Sequence, residues 1–313
     1  RQDWVNMSST IAQIKQEMSK VVVGQESMID GLLIGMLTGG HVLLEGVPGL
    51  AKTTTVNTLA KAFSLNFKRV QFTPDLLPSD IIGAEVYDPA KNEFRIKQGP
   101  IFTNILLADE INRAPAKVQS ALLEVMAERQ ATIGDQTFKI DKPFLVLATQ
   151  NPVEQEGVYS LPEAQLDRFM LKITVGYNTQ SEELEIARRV ANDSFGDVSA
   201  IATVEDIASM REAVKNVHID EELEQYIIEL IFATRKDQEF LQYGASPRAS
   251  IDLFRAAKAI AYMNGKDFVS PSDIAKASKN VLRHRLILSY EGEAEGKNVD
   301  DIITTVLSEV PIP

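Results

Sequence analysis

"LLEGVPGLAKTTTV", Leu43 to Val56, decides how the rest of the chain is read. An apolar run meets a glycine-containing turn, and Lys52 and Thr53 open a helical stretch behind it. The pattern is that of a phosphate-binding loop, G-x-x-x-x-G-K-[ST], except that Ala51 stands where the second signature glycine is expected. Such a loop works because successive backbone N–H groups point into a concavity at a helix N-terminus, where aligned peptide dipoles favour an anion. Backbone shape is therefore the requirement. Gly46 and Gly49 supply it where a side chain would collide with phosphate. Ala51 falls where the chain enters the helix, and a methyl group at helical φ blocks no N–H. The loop is expected to survive the change, with Gly46, Val47, Pro48, Gly49, Leu50, Ala51, Lys52, Thr53 and Thr54 around the phosphates. Lys52 would reach the β- and γ-phosphates, and the Thr53 hydroxyl would ligate Mg²⁺.

Working outward, short apolar runs at His41–Leu44, Phe67–Phe72, Asn104–Ala108, Phe144–Ala148 and Met170–Thr174 alternate with helical patterns at Lys52–Phe63 and Ala114–Glu128. This is the signature of an α/β fold, a parallel sheet with helices on both faces. Two stretches depart from it. "GAEVYDPAKNEFRIKQG", Gly83 to Gly99, and "ATIGDQTFKI", Ala131 to Ile140, each alternate around a turn signal and read as inserted β-hairpins. After Tyr177 helical periodicity takes over, at Ser181–Ala191, Val204–Lys215, Glu221–Thr234, Arg248–Met263 and Ser272–Arg285. The expected division is a nucleotide-binding αβα core over residues 1–178 and an all-α lid over residues 179–313. "EGEAEGKNVDD", Glu291 to Asp301, reads as a solvated loop before a last short helix.

Chemistry gathers at the ends of the strands, where open α/β sheets place their sites. "NILLADEINRA", Asn104 to Ala114, ends an apolar strand in two adjacent carboxylates. Asp109 would hold the water shell of a Mg²⁺ ion, and Glu110 would orient and polarise an attacking water. "FLVLATQNP" delivers Asn151 at the end of a third strand, within reach of a γ-phosphate or that water. Two arginines could complete charge compensation of a transferring phosphoryl group: Arg168 in "LPEAQLDRF" and Arg248 in "GASPRAS". The alternative for Arg168 is a surface ion pair with Asp167 or Glu163.

Composition narrows the classes. The chain has 313 residues, 44% of them hydrophobic, and 44 acidic against 32 basic residues give a net charge of −12. That balance disfavours a broad electrostatic footprint for nucleic acid or anionic membrane. With no cysteine, disulfides and thiolate metal sites are excluded, which suits a reducing compartment. His41, His218 and His284 show no paired ligand spacing and read as ordinary surface or core residues. The longest apolar run, Gly31 to Leu44, falls short of the roughly 18 residues of a spanning helix, and its four glycines suit a helix end and loop. The chain opens at Arg1, so targeting is not legible at this end.

In order and spacing, "VVVGQ" (Val21–Gln25), "GHVLLEGVPGLAKT" (Gly40–Thr53), "QFTPDLLPSDIIG" (Gln71–Gly83), "LLADEINRAP" (Leu106–Pro115), "ATQNPVEQEGVYSLPEAQLDRF" (Ala148–Phe169) and "SPRAS" (Ser246–Ser250) resemble the AAA+ ATPases, and among them the MoxR family. The resemblance implies ATP or ADP with Mg²⁺ as ligands, and Val22, Val23, Gly24 and Gln25 along the adenine pocket. It implies Asn151 as sensor 1, Arg168 as an arginine finger on a neighbouring subunit's nucleotide, Arg248 as sensor 2, and Arg113 as a second candidate for contact across subunits. The first hairpin becomes the helix-2 insert of one AAA+ branch and the second the hairpin before sensor 1. A homo-oligomer follows, a hexameric ring in the cytoplasm, with a protein client and a partner carrying a von Willebrand factor A domain. The implied activity is Mg²⁺-dependent ATP hydrolysis driving chaperone-like remodelling or maturation of protein complexes, including cofactor or metal insertion. The alternatives are a nucleic-acid motor or restriction-type GTPase of the same branch, or a nucleotide-regulated binding module without turnover. The acidic balance and the lack of an [NT]-K-x-D motif count against the first, and the Asp109-Glu110 pair counts against the second.

Overall fold

Alternate residues of the central strands face opposite ways, and both ways are apolar. Val42, Leu44, Ile105, Leu107, Leu145 and Leu147 join one buried cluster, whereas Leu43, Leu106, Ala108, Val146 and Ala148 join another. A sheet with two apolar faces must be covered on both. The computed structural model, which describes residues 2–46, 51–151, 158–236 and 239–313, shows how this is done.

Helices α1 (Gln2–Met18) and α2 (Glu26–Thr38) precede β1 (Val42–Gly46). Then come α3 (Lys52–Ala62), β2 (Phe67–Gln71), the short α4 (Pro78–Ile82) and a hairpin of β3 (Gly83–Asp88) and β4 (Glu93–Gln98). Strand β5 (Ile105–Asp109) leads through a 3₁₀ turn at Ile111–Arg113 into α5 (Ala116–Glu128) and a second hairpin, β6 (Gln130–Ile133) and β7 (Gln136–Lys139). Strand β8 (Leu145–Gln150), α6 (Glu163–Leu166) and β9 (Leu171–Val175) complete this half. The sheet has five parallel strands in the order β2-β5-β8-β1-β9. Helices α2 and α3 pack on one face, while the α4–α5 pair belongs to the cluster on the other.

The second half is helical: α7 (Gln180–Ala191), α8 (Val204–Lys215), α9 (Glu221–Ala233), α10 (Pro247–Met263), α11 (Pro271–Leu282), α12 (Tyr290–Ala294) and α13 (Val299–Glu309). Its starts are set by short polar side chains. Thr203 with Asp206 and Ser270 with Asp273 form capping boxes, and Thr179 accepts from the Glu182 N–H. A two-residue-wide antiparallel ribbon, β10 (Leu241–Tyr243) with β11 (Ile287–Leu288), ties the segment before α10 to the one after α11.

Two expectations are corrected. Gly31 and Gly35 are not at a helix end but inside α2, where a Cβ on Gly31 would lie 1.8 Å from Ile173 Cδ1, so the glycines let α2 press against the sheet. Gly39, at φ 77°, is the helix terminator. The stretch Glu291–Asp301 is not a plain loop, because α12 occupies its start and α13 begins at Val299. Ser289 and Asn298 cap these helices, and those caps override the acidic composition that reads as solvated.

Candidate active site

The C-terminal ends of β1, β8 and β5 lie side by side, and the sequence hangs its chemistry there. Gly46 ends β1, and α3 starts at Lys52. Val47, Pro48, Gly49 and Leu50 lie outside the described residues, as does Pro152. Ala51 is the N-cap of α3 with φ −75°, a conformation that asks for no glycine, and its carbonyl already accepts the Thr55 N–H at 2.9 Å. The first turn of α3 holds no acidic residue, so no side chain of that turn offsets the positive end of its dipole.

Lys52 reaches across to β5. Its Nζ lies 3.1 Å from Asp109 Oδ1, while Arg69 Nη2 from β2 bonds Asp109 Oδ2 at 2.7 Å. Thr149, on β8 between them, donates its hydroxyl to Asp109 Oδ1 at 2.6 Å and accepts the Glu110 N–H at 2.8 Å. Burial pushes the Asp109 carboxyl up, but the bonds from Thr149, Arg69 and Lys52 together outweigh it and hold the group below the usual carboxylate range. Asp109 is thus an ionised, buried carboxylate.

Glu110 leaves the strand in the left-handed region, φ 55° and ψ 55°, which swings its side chain out of the strand direction. Its carboxylate meets Arg113 Nη1 at 3.6 Å. Asn151 follows the end of β8, half-buried. Asn112 Nδ2 donates to the Asn151 carbonyl at 3.3 Å, and the Tyr159 N–H donates to the Asn112 carbonyl at 2.6 Å. Gln119 Nε2 donates to the carbonyls of Ile111, Ala114 and Tyr159. The exits of β5 and β8 are therefore fastened together.

Val22, Val23, Gly24 and Gln25 form the link from α1 to α2. Gln25 Nε2 donates to Asn178 Oδ1 at 3.1 Å, and a Cβ on Gly24, at φ 71°, would lie 1.9 Å from Glu182 Oε2. The link thus rests against the start of the helical half. A cavity of about 200 Å³ joins Val21 to Thr53, Thr54 and Asn57 of α3 and to Gly196 and Val198. Both threonines are exposed, so the Thr53 hydroxyl is free to meet a hard cation, which prefers oxygen donors such as it and ionised Asp109. Those two residues fit Mg²⁺.

Arg168 and Arg248 are elsewhere. Strand β9 pairs in parallel with β1, Val42 opposite Leu171 and Gly46 opposite Val175. Arg168 precedes β9, whereas Lys52 follows β1, so about 13 Å of strand separates the two ends of the sheet. Arg168 and Arg248 line one cavity of about 330 Å³ with His41, Arg129, Asp252 and Arg255. The alternative of a surface ion pair is not what forms: among the described residues, neither Asp167 nor Glu163 lies within ion-pair distance of Arg168. Asp167 instead accepts from Ser246 Oγ at 2.8 Å and from Arg285 Nε at 2.8 Å. His41 and His284 are buried and bond backbone carbonyls, and exposed His218 pairs with Asp220 at 2.7 Å. Among the described residues no group of three or more His, Asp or Glu forms a metal cage. No helix there is long and apolar enough to cross a membrane.

Thr149, Arg69 and Arg285 were not singled out in the sequence. Thr149 stands two residues before Asn151 and faces β5, and strand alternation from the buried run would have flagged it. Arg69 and Arg285 carry no local signal, because their acceptors are 40 and 118 residues away.

Comparison with known proteins identifies the family. Residues 41–171 match the model of the ATPase family associated with various cellular activities (AAA), and residues 233–306 match the AAA lid domain. The chain is 46% identical over 305 residues to the chaperone MoxR1 of Mycobacterium tuberculosis, which spans 95% of this chain and 81% of that protein. The chain belongs to the MoxR family of AAA+ ATPases. The protein MoxR of Methylorubrum extorquens is 29% identical, covering 99% of this chain and 96% of that one. A crystal structure of a Cytophaga hutchinsonii protein assigned as an ATPase superimposes with a TM-score of 0.94 at 54% identity, over 100% of this chain and 97% of that one. This MoxR-family member is an ATP-hydrolysing enzyme with an αβα core and a helical lid.

Proposed function

We propose that this enzyme hydrolyses Mg²⁺-ATP between neighbouring subunits and uses the cycle for chaperone-like remodelling or maturation of protein complexes, cofactor or metal insertion included. The observation that carries the reading is the split site: Lys52, Asp109 and Glu110 lie at one end of the sheet, and Arg168 and Arg248 share a cavity at the other. Val22, Val23, Gly24 and Gln25 would hold the adenine, and the loop from Gly46 through Thr54 the phosphates. Glu110 would accept a proton from the attacking water, and Asn151 would hold that water in line. Thr53 and Asp109 would hold a Mg²⁺ ion, which would supply charge neutralisation to the phosphates. Lys52 would turn from Asp109 to the β- and γ-phosphates, leaving Arg69 and Thr149 to fix the carboxylate.

Residues 1–178 would act as the nucleotide-binding body and 179–313 as the lid that moves against it, a hinge-type switch. A hexameric cytoplasmic ring, a protein client and a von Willebrand factor A-domain partner follow from the family. The test is turnover per subunit against protein concentration, for the enzyme alone and for mixtures of Glu110→Gln with Arg168→Ala subunits. Turnover should rise with assembly, and mixtures should regain activity because some junctions contain an intact glutamate and an intact arginine. Turnover that stays flat on dilution to monomers rejects the shared site.

A further inference from the structure

Near the amino ends of the central strands lies a second cavity, about 580 Å³, which the proposed reaction leaves unused. It opens between the carboxyl ends of α2 and α8 and the middle of α10, and it adjoins the Arg168–Arg248 cavity through Gly39, Arg129 and Arg255. Arg129, Lys142, Arg211, Lys215, Arg255 and Lys258 line it, and no carboxylate does, in a chain of net charge −12. Among the described residues, only Lys215 of the six forms an ion pair, with Glu212 at 3.3 Å on the exposed rim.

Helix ends account for part of this charge. Arg211 Nε donates to the Met36 carbonyl at 2.7 Å and Arg129 Nη2 to the Gly39 carbonyl, both at the end of α2, while Lys258 Nζ donates to the Lys215 carbonyl at 3.1 Å, at the end of α8. Each helix terminus carries about half a negative elementary charge. Two termini and Glu212 thus offset about two of the six cations, and about four remain. Lys142, Lys215 and Arg255 are exposed, whereas Arg129 and Arg211 are partly withdrawn from solvent. Burial, and the charge of Arg255, hold the Arg129 guanidinium below its ordinary range, and burial with the charge of Arg129 does the same for Arg211. Arg211 Nη2 is shut off from solvent with no acceptor in the protein, which is costly for a charged donor.

We propose that this cavity is an anion site built for an oligophosphate group, either inorganic or carried on a nucleotide. A lone carboxylate would answer only one of the uncompensated charges, whereas two linked phosphates bring roughly three and present acceptor oxygens that suit guanidinium forks. Leu37, Val214 and Phe254 form an apolar wall in the same cavity, where the organic part of a nucleotide would rest.

The test is thermal unfolding of the full chain carrying Lys52→Ala, which removes phosphate binding at the α3 loop, in the presence of pyrophosphate or ADP. Pyrophosphate should raise the unfolding temperature, less so at high salt. Lys258→Gln in that background should weaken the response at least about tenfold, because a charge-assisted contact is lost. Arg168→Ala, which touches only the adjoining cavity, should leave it intact. Arg255 is exposed and donates no hydrogen bond among the described residues, so Arg255→Gln should keep or raise the unliganded unfolding temperature while reducing the response. A purely structural role would move those two quantities together. ADP acting more strongly than pyrophosphate identifies a nucleotide as the ligand, and equal action identifies the inorganic anion. The proposal is overturned by no response to either probe, by a response that survives Lys258→Gln, by one that vanishes with Arg168→Ala, or by stabilisation from an oligo-aspartate peptide alone. The α3-loop reading fails separately, if Lys52→Ala retains full ATP turnover.

Discussion

Arg285 of the helical half donates its Nε to Asp167 Oδ1 at 2.8 Å, one residue before Arg168. The Arg285 side chain is 1% exposed and also bonds Asp252 Oδ2 at 2.6 Å and the carbonyls of Asp167 and Phe169. The same Asp167 carboxylate accepts from Ser246, two residues before Arg248. One acidic group therefore joins the segments that carry Arg168 and Arg248, so they should move together.

Asp167→Asn would leave the guanidinium of Arg285 buried with half its counter-charge. Because Asp252 stays paired with Arg285 and Asp167 is partly exposed, the cost should be about 1 to 3 kcal/mol. Denaturant unfolding should show that loss, and turnover should fall while binding of a fluorescent nucleotide at the Lys52 end is unchanged. An unaltered stability would mean that the contact fastens nothing.

Glu110→Gln keeps the shape and the Thr149-held backbone of Glu110 but removes its basicity. Nucleotide affinity should persist, and turnover should drop by about 10² to 10⁴. Steady-state hydrolysis beside equilibrium binding checks this, and wild-type turnover would exclude Glu110 as the proton acceptor.

Asp109 is held below the usual carboxylate range, so its contribution to stability is complete above the unfolded value of about 3.9 and is lost as pH falls through the folded value. Urea unfolding between pH 6 and 2.5 should show a steeper acid decline in the wild type than in Asp109→Asn. Parallel declines would show that the bonds from Thr149, Arg69 and Lys52 do not favour the ionised form.

His41 gives a second pH signature. Its Nδ1 accepts the Val146 N–H at 3.0 Å, which puts the proton on Nε2 facing the Met126 carbonyl at 3.1 Å. Burial, then the nearby Arg129 charge, lowers its pKa to about 3. The unfolded chain takes up a proton below about pH 6.5 that the folded one refuses, so stability is full above that pH and falls beneath it. The loss between pH 7 and 5 should be about 2 kcal/mol and should be smaller in His41→Gln. Buried His284 is shifted the same way and adds to the wild-type slope, which is why the difference between the proteins is the readout.

The parts of this molecule legible in the sequence are those with local causes. Short apolar runs placed all five strands within a few residues, because the three central strands are apolar on both faces and such a run needs no knowledge of partners. The meeting of Lys52 with Asp109 was legible because parallel strands bring their carboxyl ends to one edge of the sheet. The ring of bonds on Asp109 was less so, since Arg69 arrives from the edge strand β2, and only the register Gln71 opposite Asp109 brings it near. Arg285 reads in sequence as a cation at a helix end, its usual place, and nothing nearby hints that it is sealed inside. The cationic cavity was hidden for the same reason, as its lining comes from five separate stretches while the overall charge is negative.

The opposed ends of β1 and β9 give the subunit a head and a tail. Two copies about a dyad could lend arginines reciprocally only if both ends were presented on one face; with the ends on opposite faces, head-to-tail stacking would follow, closing into a circle or growing as a fibre according to the turn per step. In any open arc the outermost molecule would lack a donor, so losing one member would idle the site next to the gap.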